Sequence, residues 1–197
     1  MNDTIISYFA IFFSAVFTQN VLLTYYLGMC PFLGASREVK TAAGLGAAVT
    51  LVMTVSTALC WLVYYQMLVP FGLEHLRFII FIIVIAAFVQ VAEITVERTS
   101  EKLYKALGIF LPLITVNCAI LGVCLFMVIR DYGFVKTCFY GFGSGLGWML
   151  AILAMAGIRQ KMAKANVPGP LAGTGISLII AGIMAIAFMG LSGVIKG

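Results

Sequence analysis

Long apolar runs separated by short polar segments dominate the pattern along the chain. A helix needs about 20 apolar residues to cross the roughly 30 Å hydrocarbon core of a bilayer. No run alternates strictly between apolar and polar positions, which argues against a transmembrane barrel. The pattern therefore predicts an all-α, polytopic membrane protein with a single membrane domain over residues 1–197. Its six predicted transmembrane helices lie near residues 5–29, 42–65, 76–96, 103–129, 134–157 and 171–195.

The composition agrees with this class. Hydrophobic residues make up 63% of the chain and charged residues 10%, whereas soluble domains carry about 25% charged residues. The net charge of +5 comes from scattered basic residues without a basic stripe, so we expect no nucleic-acid partner. The start, MNDTIISYF, contains an acidic residue and lacks a positive segment, so we expect the first apolar run to be retained.

The basic residues also predict the orientation. Eight of them fall in the loops after spans one, three and five, and four fall on the opposite side. Cytoplasmic loops of membrane proteins carry the excess of Lys and Arg. Both termini are therefore predicted to lie outside the cytoplasm.

Two short motifs recur about half a chain apart. The frame C-x-x-L-G occurs at residues 30–34 and 118–122, and each copy is followed by G-L-G, at 44–46 and 145–147. This shared order predicts a duplication, with repeat one over about 5–96 and repeat two over about 103–195. Because each repeat holds three spans, the second copy must be inverted in the membrane, as in many transporters.

Prolines predict that helices one and four are broken. The apolar run from Ile5 to Leu33 exceeds what the hydrocarbon core requires, and Pro31 disfavours helical geometry at Cys30. Pro112 cannot donate a hydrogen bond within span four and should kink it. Breaks within lipid are tolerated where protein buries them or where they line a cavity. Ordinary proline kinks are the alternative.

Cys30 and Cys118 occupy equivalent places in the two repeats. Two thiolates are half of the usual four-cysteine set of an iron–sulfur cluster, and a symmetric neighbour could supply the other half. The spacing alone leaves two alternatives open: unrelated buried thiols, or a disulfide between them. The chain has no C-x-x-C pair, which argues against a self-contained metal site.

Four segments, LGMCPFLG, LGIFLPLITVNCAILG, YGFGSGLGWMLAI and IAFMGLSG, resemble the RnfA/NqrE family over nearly the whole chain. The resemblance implies a six-helix subunit paired with a homologous subunit of opposite topology, RnfE or NqrD. It also implies that each partner gives two cysteines to an intramembrane [2Fe–2S] cluster. The matching metal and cofactor ligands in this chain are Cys30 and Cys118.

The family has two branches. CPF and the short loop VPFGLEH resemble RnfA of the ion-translocating ferredoxin:NAD+ oxidoreductase (Rnf) complex. YGFGSGLGWMLAI and TVNCAI lean toward NqrE of the sodium-translocating NADH:quinone reductase, and we favour RnfA. That assignment implies an electron-transfer subunit that couples electron flow to Na+ or H+ transport. It also implies that the chain has no catalytic residue of its own and is inactive alone.

The resemblance also implies the surroundings of the chain. We expect a multi-pass protein of the bacterial cytoplasmic (inner) membrane, in contact with membrane lipid. RnfB, RnfC, RnfD and RnfG are the expected further partners. FMN, riboflavin, NAD and other Fe–S clusters are expected in neighbouring subunits only.

Polar residues inside the spans are further candidates. Gln90, Glu93 and Glu97 share one helix face, and Glu93 matches an acidic position that the family associates with sodium uptake. The alternative is that Glu93 reaches the interface and pairs with Arg98 or Lys102.

Three residues, Asn20, Thr115 and Asn117, are candidates to donate hydrogen bonds to cluster sulfurs. They could equally satisfy backbone groups freed by the helix breaks. Glycines at every second position from 141 to 147 suit docking on a partner protein or internal packing between the repeats.

Two other functional classes fit part of the pattern. A small secondary transporter also uses inverted repeats and broken helices. A structural assembly protein would carry incidental cysteines. Loss of function on replacing Cys30 or Cys118 separates the electron carrier from both.

Overall fold

The computed structural model describes residues 2–99, 114–163 and 173–195, and every regular element within these ranges is helical. The helices are α1 (Asn2–Phe13), α2 (Met29–Ala35), α3 (Val39–Val63), α4 (Arg77–Thr99), α5 (Cys118–Ile129), α6 (Phe134–Met162) and α7 (Thr174–Ile195). A π-helical turn, Ser14–Thr18, extends α1. A second one, Tyr64–Leu68, extends α3 toward a last turn at Val69–Phe71.

Three described helical segments are long and apolar enough to cross a membrane: Val39–Phe71, Glu74–Thr95 and Phe134–Met162. Shorter apolar helices cover Tyr8–Thr18, Cys118–Ile129 and Thr174–Gly190. The helical, polytopic membrane class predicted from the sequence is thereby confirmed. The count of six spans and the division into inverted repeats stay predictions.

The first helix breaks earlier than the sequence predicts. The chain leaves helical geometry after Thr18, runs through turns over residues 19–28, and enters α2 at Met29. Cys30 and Pro31 therefore lie in the first turn of a helix, and the predicted break between them is wrong. The physical reason is that a first-turn N–H has no acceptor within its helix, so a proline there removes no hydrogen bond.

A second interruption lies directly before Cys118. Residues 114 and 115 are helical, Val116 and Asn117 are not, and α5 begins at Cys118. Pro112, the predicted cause of a kink in span four, lies outside the described residues. Each cysteine of the two C-x-x-L-G motifs thus lies in the first turn of a helix that follows a break.

The helices α3 and α6 form the most extensive helix pair among the described elements. Gly141 and Gly145, one turn apart on α6, face α3. A Cβ atom added to Gly145 would lie 2.7 Å from the Cα of Thr50, and one added to Gly141 would lie 3.1 Å from the Oγ1 of Thr57. The two helices therefore approach as closely as their backbones allow.

The alternate glycines of α6 face the opposite side. A Cβ atom added to Gly143 would lie 3.1 Å from the carbonyl oxygen of Phe12 in α1. One added to Gly147 would lie 2.8 Å from the carbonyl oxygen of Val16. Glycines at spacing two thus form two separate faces, and both are used for packing within this chain.

Replacing Gly145 with alanine is expected to destabilise the protein by about 1–3 kcal/mol, because the added methyl group overpacks a backbone contact. Gly157 is the matched control, since it lies in the same helix and a Cβ there meets no atom within 4 Å. Thermal unfolding in detergent measures the difference. Equal stability of Gly145→Ala and Gly157→Ala would contradict the close crossing of α3 and α6.

Candidate functional site

The two helix breaks meet at Cys118. The backbone N–H of Gly28 donates a hydrogen bond to the Cys118 sulfur, with 3.0 Å between the nitrogen and Sγ. Gly28 immediately precedes α2 and lies two residues before Cys30. Both cysteines are exposed free thiols. Cysteines 88 residues apart in the sequence are therefore carried by adjoining segments at the surface of the chain.

Only glycine fits at position 28. Its φ of +81° lies in the left-handed region, which residues with a Cβ atom rarely adopt. A Cβ there would lie 2.7 Å from Nε1 of Trp148 and 3.0 Å from Cβ of Ala119. The conformation of Gly28 and the indole behind it together aim the Gly28 N–H at the Cys118 sulfur.

Asn117 caps the helix that begins at Cys118. Its Oδ1 accepts a hydrogen bond from the Ala119 N–H at 3.0 Å, which satisfies one of the free N–H groups at the start of α5. Asn117 Oδ1 therefore satisfies a backbone group freed by the helix break, which is one of the two alternatives that the sequence left open. Its Nδ2 is buried and has no hydrogen-bond acceptor among the described residues.

Trp148 is a site residue that sequence reasoning missed. Its side chain is fully buried, and Nε1 has no acceptor in the described part of the chain. A buried indole N–H ordinarily finds an acceptor, and leaving one unpaired costs about 1–3 kcal/mol. The only signal in the sequence was a tryptophan inside an apolar span. Unpaired donors of Trp148 and Asn117 thus lie close to Gly28, the residue bonded to Cys118.

Asn20 holds the first break together. Its Nδ2 donates to the carbonyl oxygens of Val16 at 3.1 Å and Gly147 at 2.7 Å. Its Oδ1 accepts from the N–H groups of Leu22 and Leu23. Both amide hydrogens are engaged by the backbone, which leaves none for a cluster sulfur.

An apolar cavity opens beside Cys118, between α4 and α5. It has a volume of about 270 Å³. Thr115, Asn117 and Cys118 supply its polar atoms, and side chains of α4 such as Ile82 and Ile85 supply much of its apolar wall. The Cys118 thiol therefore borders a cleft that suits an apolar neighbour.

Glu93 lies apart from the cysteines. It is half-buried on α4, and Gln90 one turn earlier is exposed. Glu93 is seven residues beyond Ala86, the last cavity residue of α4, which corresponds to about 10 Å along the helix. Lys102, one of its predicted alternative partners, lies outside the described residues.

The remaining cysteines are less accessible. Cys60 and Cys124 are fully buried, and Cys138 is half-buried. Within residues 2–99, 114–163 and 173–195, no three His, Cys, Asp or Glu side chains are grouped so that they could hold a metal ion. The described part of the chain thus presents two exposed thiols, half of a four-thiolate set.

Comparison with known proteins identifies relatives that match nearly the whole chain. The E subunit of the Na(+)-translocating NADH-quinone reductase of Serratia proteamaculans is 54% identical, over 95% of this chain and 98% of the relative. The A subunit of the Na(+)-translocating ferredoxin:NAD(+) oxidoreductase complex of Acetobacterium woodii is 48% identical, over 95% and 97%. The A subunit of the ion-translocating oxidoreductase complex of Thioalkalivibrio sulfidiphilus is 49% identical, over 96% and 98%.

The model of the Rnf-Nqr family, described as "Rnf-Nqr subunit, membrane protein", matches residues 8–195. The match includes both helix breaks, Cys30 and Cys118. The relatives are subunits of ion-translocating oxidoreductase complexes from both branches of that family. This chain belongs to the Rnf-Nqr family of membrane subunits.

Proposed function

We propose that this chain is the membrane electron-transfer subunit of an ion-translocating ferredoxin:NAD+ oxidoreductase complex. In this proposal Cys30 and Cys118 supply two ligands of a [2Fe–2S] cluster, and a homologous subunit of opposite topology supplies the other two. The observation that carries it is the 3.0 Å hydrogen bond from the Gly28 N–H to the Cys118 sulfur, which joins the two cysteine-bearing segments.

The exposed cysteines of this chain can supply two of the four ligands of such a cluster. Thiolate sulfur is the usual ligand of a [2Fe–2S] cluster, and four are normally required. Both thiols are exposed in the isolated chain, where a partner can reach them. The apolar cavity beside Cys118 offers that partner a surface to cover. A bound cluster supplies one-electron transfer within the membrane, and its iron offsets the charge of the thiolates.

This chain's own residues then hold and tune the site. Gly28 donates to the Cys118 sulfur, and such hydrogen bonds set the potentials of iron–sulfur centres. The buried side-chain N–H groups of Asn117 and Trp148, two residues beside Gly28, have no acceptor among the described residues. Thr115 lines the adjoining cavity. The flavins, NAD and further clusters of the reaction belong to neighbouring subunits, including RnfB, RnfC, RnfD and RnfG.

Alignment lengths support the Rnf branch. Each alignment covers 95% of this chain, but the one with the Acetobacterium relative spans 187 positions and the one with the Serratia relative spans 193. The Serratia protein therefore carries a few residues that this chain lacks. The higher identity to the Serratia protein, 54% against 48%, favours the NADH:quinone branch as the second candidate.

The test is spectroscopy and turnover of the purified complex. Reduction is expected to give the electron paramagnetic resonance (EPR) signal of a [2Fe–2S] cluster that depends on this chain. Reduced ferredoxin with NAD+ should support turnover in the Rnf assignment, whereas NADH with quinone should support it in the alternative. A secondary transporter would instead move solute without any electron donor. An assembly protein would leave electron flow intact when its cysteines are replaced.

Glu93 is proposed to take up the coupling cation from the cytoplasmic side. Replacing it with glutamine is expected to raise the sodium concentration for half-maximal turnover by about tenfold, because a charge-assisted contact is lost. Glu74→Gln is the control, since Glu74 lies in the exposed turn before α4. The measurement is turnover as a function of sodium concentration. An unchanged sodium dependence in Glu93→Gln would contradict a role of Glu93 in ion uptake.

A further inference from the structure

The cysteine-bearing helix α2 has seven residues, so it depends on tertiary contacts for its stability. Its last carbonyl groups have no acceptor role within the helix and need donors from elsewhere. Arg159 of α6 supplies one such donor. Its Nη1 donates to the carbonyl oxygen of Leu33 at 2.9 Å and to Oγ of Ser36 at 2.7 Å, and Ser36 is fully buried.

The opposite end of α2 is held by the same helix. Trp148 of α6 packs against Gly28, directly before α2. Trp148 and Arg159 are 11 residues apart, about 16 Å along α6, and α2 itself is about 10 Å long. The two α6 side chains therefore bracket α2 from one end to the other.

We infer that Arg159 is a positioning residue, which fixes α2 on α6 and thereby keeps Cys30 at the site it shares with Cys118. A guanidinium is suited to this place, because its charge strengthens both hydrogen bonds and complements the negative end of the helix dipole. The docking of α2 rests on the contacts of Arg159 and Trp148 and does not depend on metal binding. The consequence for metal binding rests on the function proposed above.

Hydrogen exchange of the demetallated complex tests the docking. Arg159→Ala is expected to accelerate exchange of the amides of residues 32–35 by about tenfold, with α3 unchanged. Lys161→Ala, at the same exposed end of α6, should exchange like the wild type. Arg159→Lys should restore protection, since one ammonium can donate to both acceptors. Ser36→Ala removes a single hydrogen bond and should show a smaller effect in the same direction.

Iron retention tests the consequence. In the loaded complex, Arg159→Ala should lose iron to a chelator about tenfold faster than Lys161→Ala and should broaden the cluster's EPR signal. Exchange in Arg159→Ala equal to that in Lys161→Ala would overturn the inference, as would a lysine variant no better protected than alanine. Absence of a Cys30-dependent cluster from the wild-type complex would instead contradict the proposed function, but it would not contradict the docking of α2 on α6.

Discussion

Serine in place of Cys118 is expected to abolish the EPR signal of the proposed [2Fe–2S] cluster and to stop electron transfer through the complex. Serine in place of Cys30 should do the same. Each substitution leaves three thiolates for a group that normally requires four, and a hydroxyl is a poor substitute because it remains protonated near neutral pH. The measurements are iron per complex, the EPR spectrum after reduction, and donor-dependent turnover.

Cys138→Ser is the matched control for both substitutions. Cys138 is a half-buried thiol of α6 outside the two breaks, so its replacement should leave iron content and turnover unchanged. The complex must still assemble in each variant, which recovery of the partner proteins during purification establishes. Full iron content in an assembled Cys118→Ser complex would rule out ligation by this residue.

Replacing Gly28 with alanine is expected to have the second-largest effect. The left-handed φ of +81° costs a residue with a Cβ atom about 1–2 kcal/mol. The methyl group would also meet Trp148 Nε1 at 2.7 Å, and such overpacking costs about 1–3 kcal/mol more. The segment must shift to relieve both, which moves the N–H away from the Cys118 sulfur. Iron content and the midpoint potential of the cluster should both fall.

Gly34→Ala is the control for this change. Gly34 lies in α2, a few residues from Gly28, and a Cβ there meets no atom within 4 Å. The control variant should retain iron and potential, because alanine favours a helix more than glycine does. If Gly28→Ala matched Gly34→Ala in both measurements, the Gly28 hydrogen bond would have no role in the site.

The sequence predicted the helical membrane class, and its pairing of Cys30 with Cys118 stays a prediction, but it misplaced the first break. A proline beside an apolar run is compatible with the end of one helix or with the first turn of the next. Nothing local distinguishes the two cases at Pro31. The break is fixed by Asn20, whose amide bonds to Gly147 across the fold, and such a long-range contact leaves no mark in a local pattern.

For the glycines of α6, the sequence predicted the local geometry but not the contacts. Spacing of two along a helix places alternate residues on different sides, so residues 141 and 145 share one face and residues 143 and 147 another. The sequence therefore contained both faces, but it did not identify their neighbours. Trp148 was missed for a similar reason. Its importance comes from contact with a residue 120 positions earlier, and a tryptophan in an apolar span is otherwise common.

The chain has only two tryptophans, and one of them, Trp148, lies against Gly28 beside the cysteine pair. An indole so close to the proposed [2Fe–2S] cluster would lose its excited-state energy to that coloured centre. In a Trp61→Phe background, the emission of Trp148 would therefore be dim when iron is bound and bright after chelation. The packing of Trp148 against Gly28 thus also provides an optical measure of whether the proposed cluster is bound.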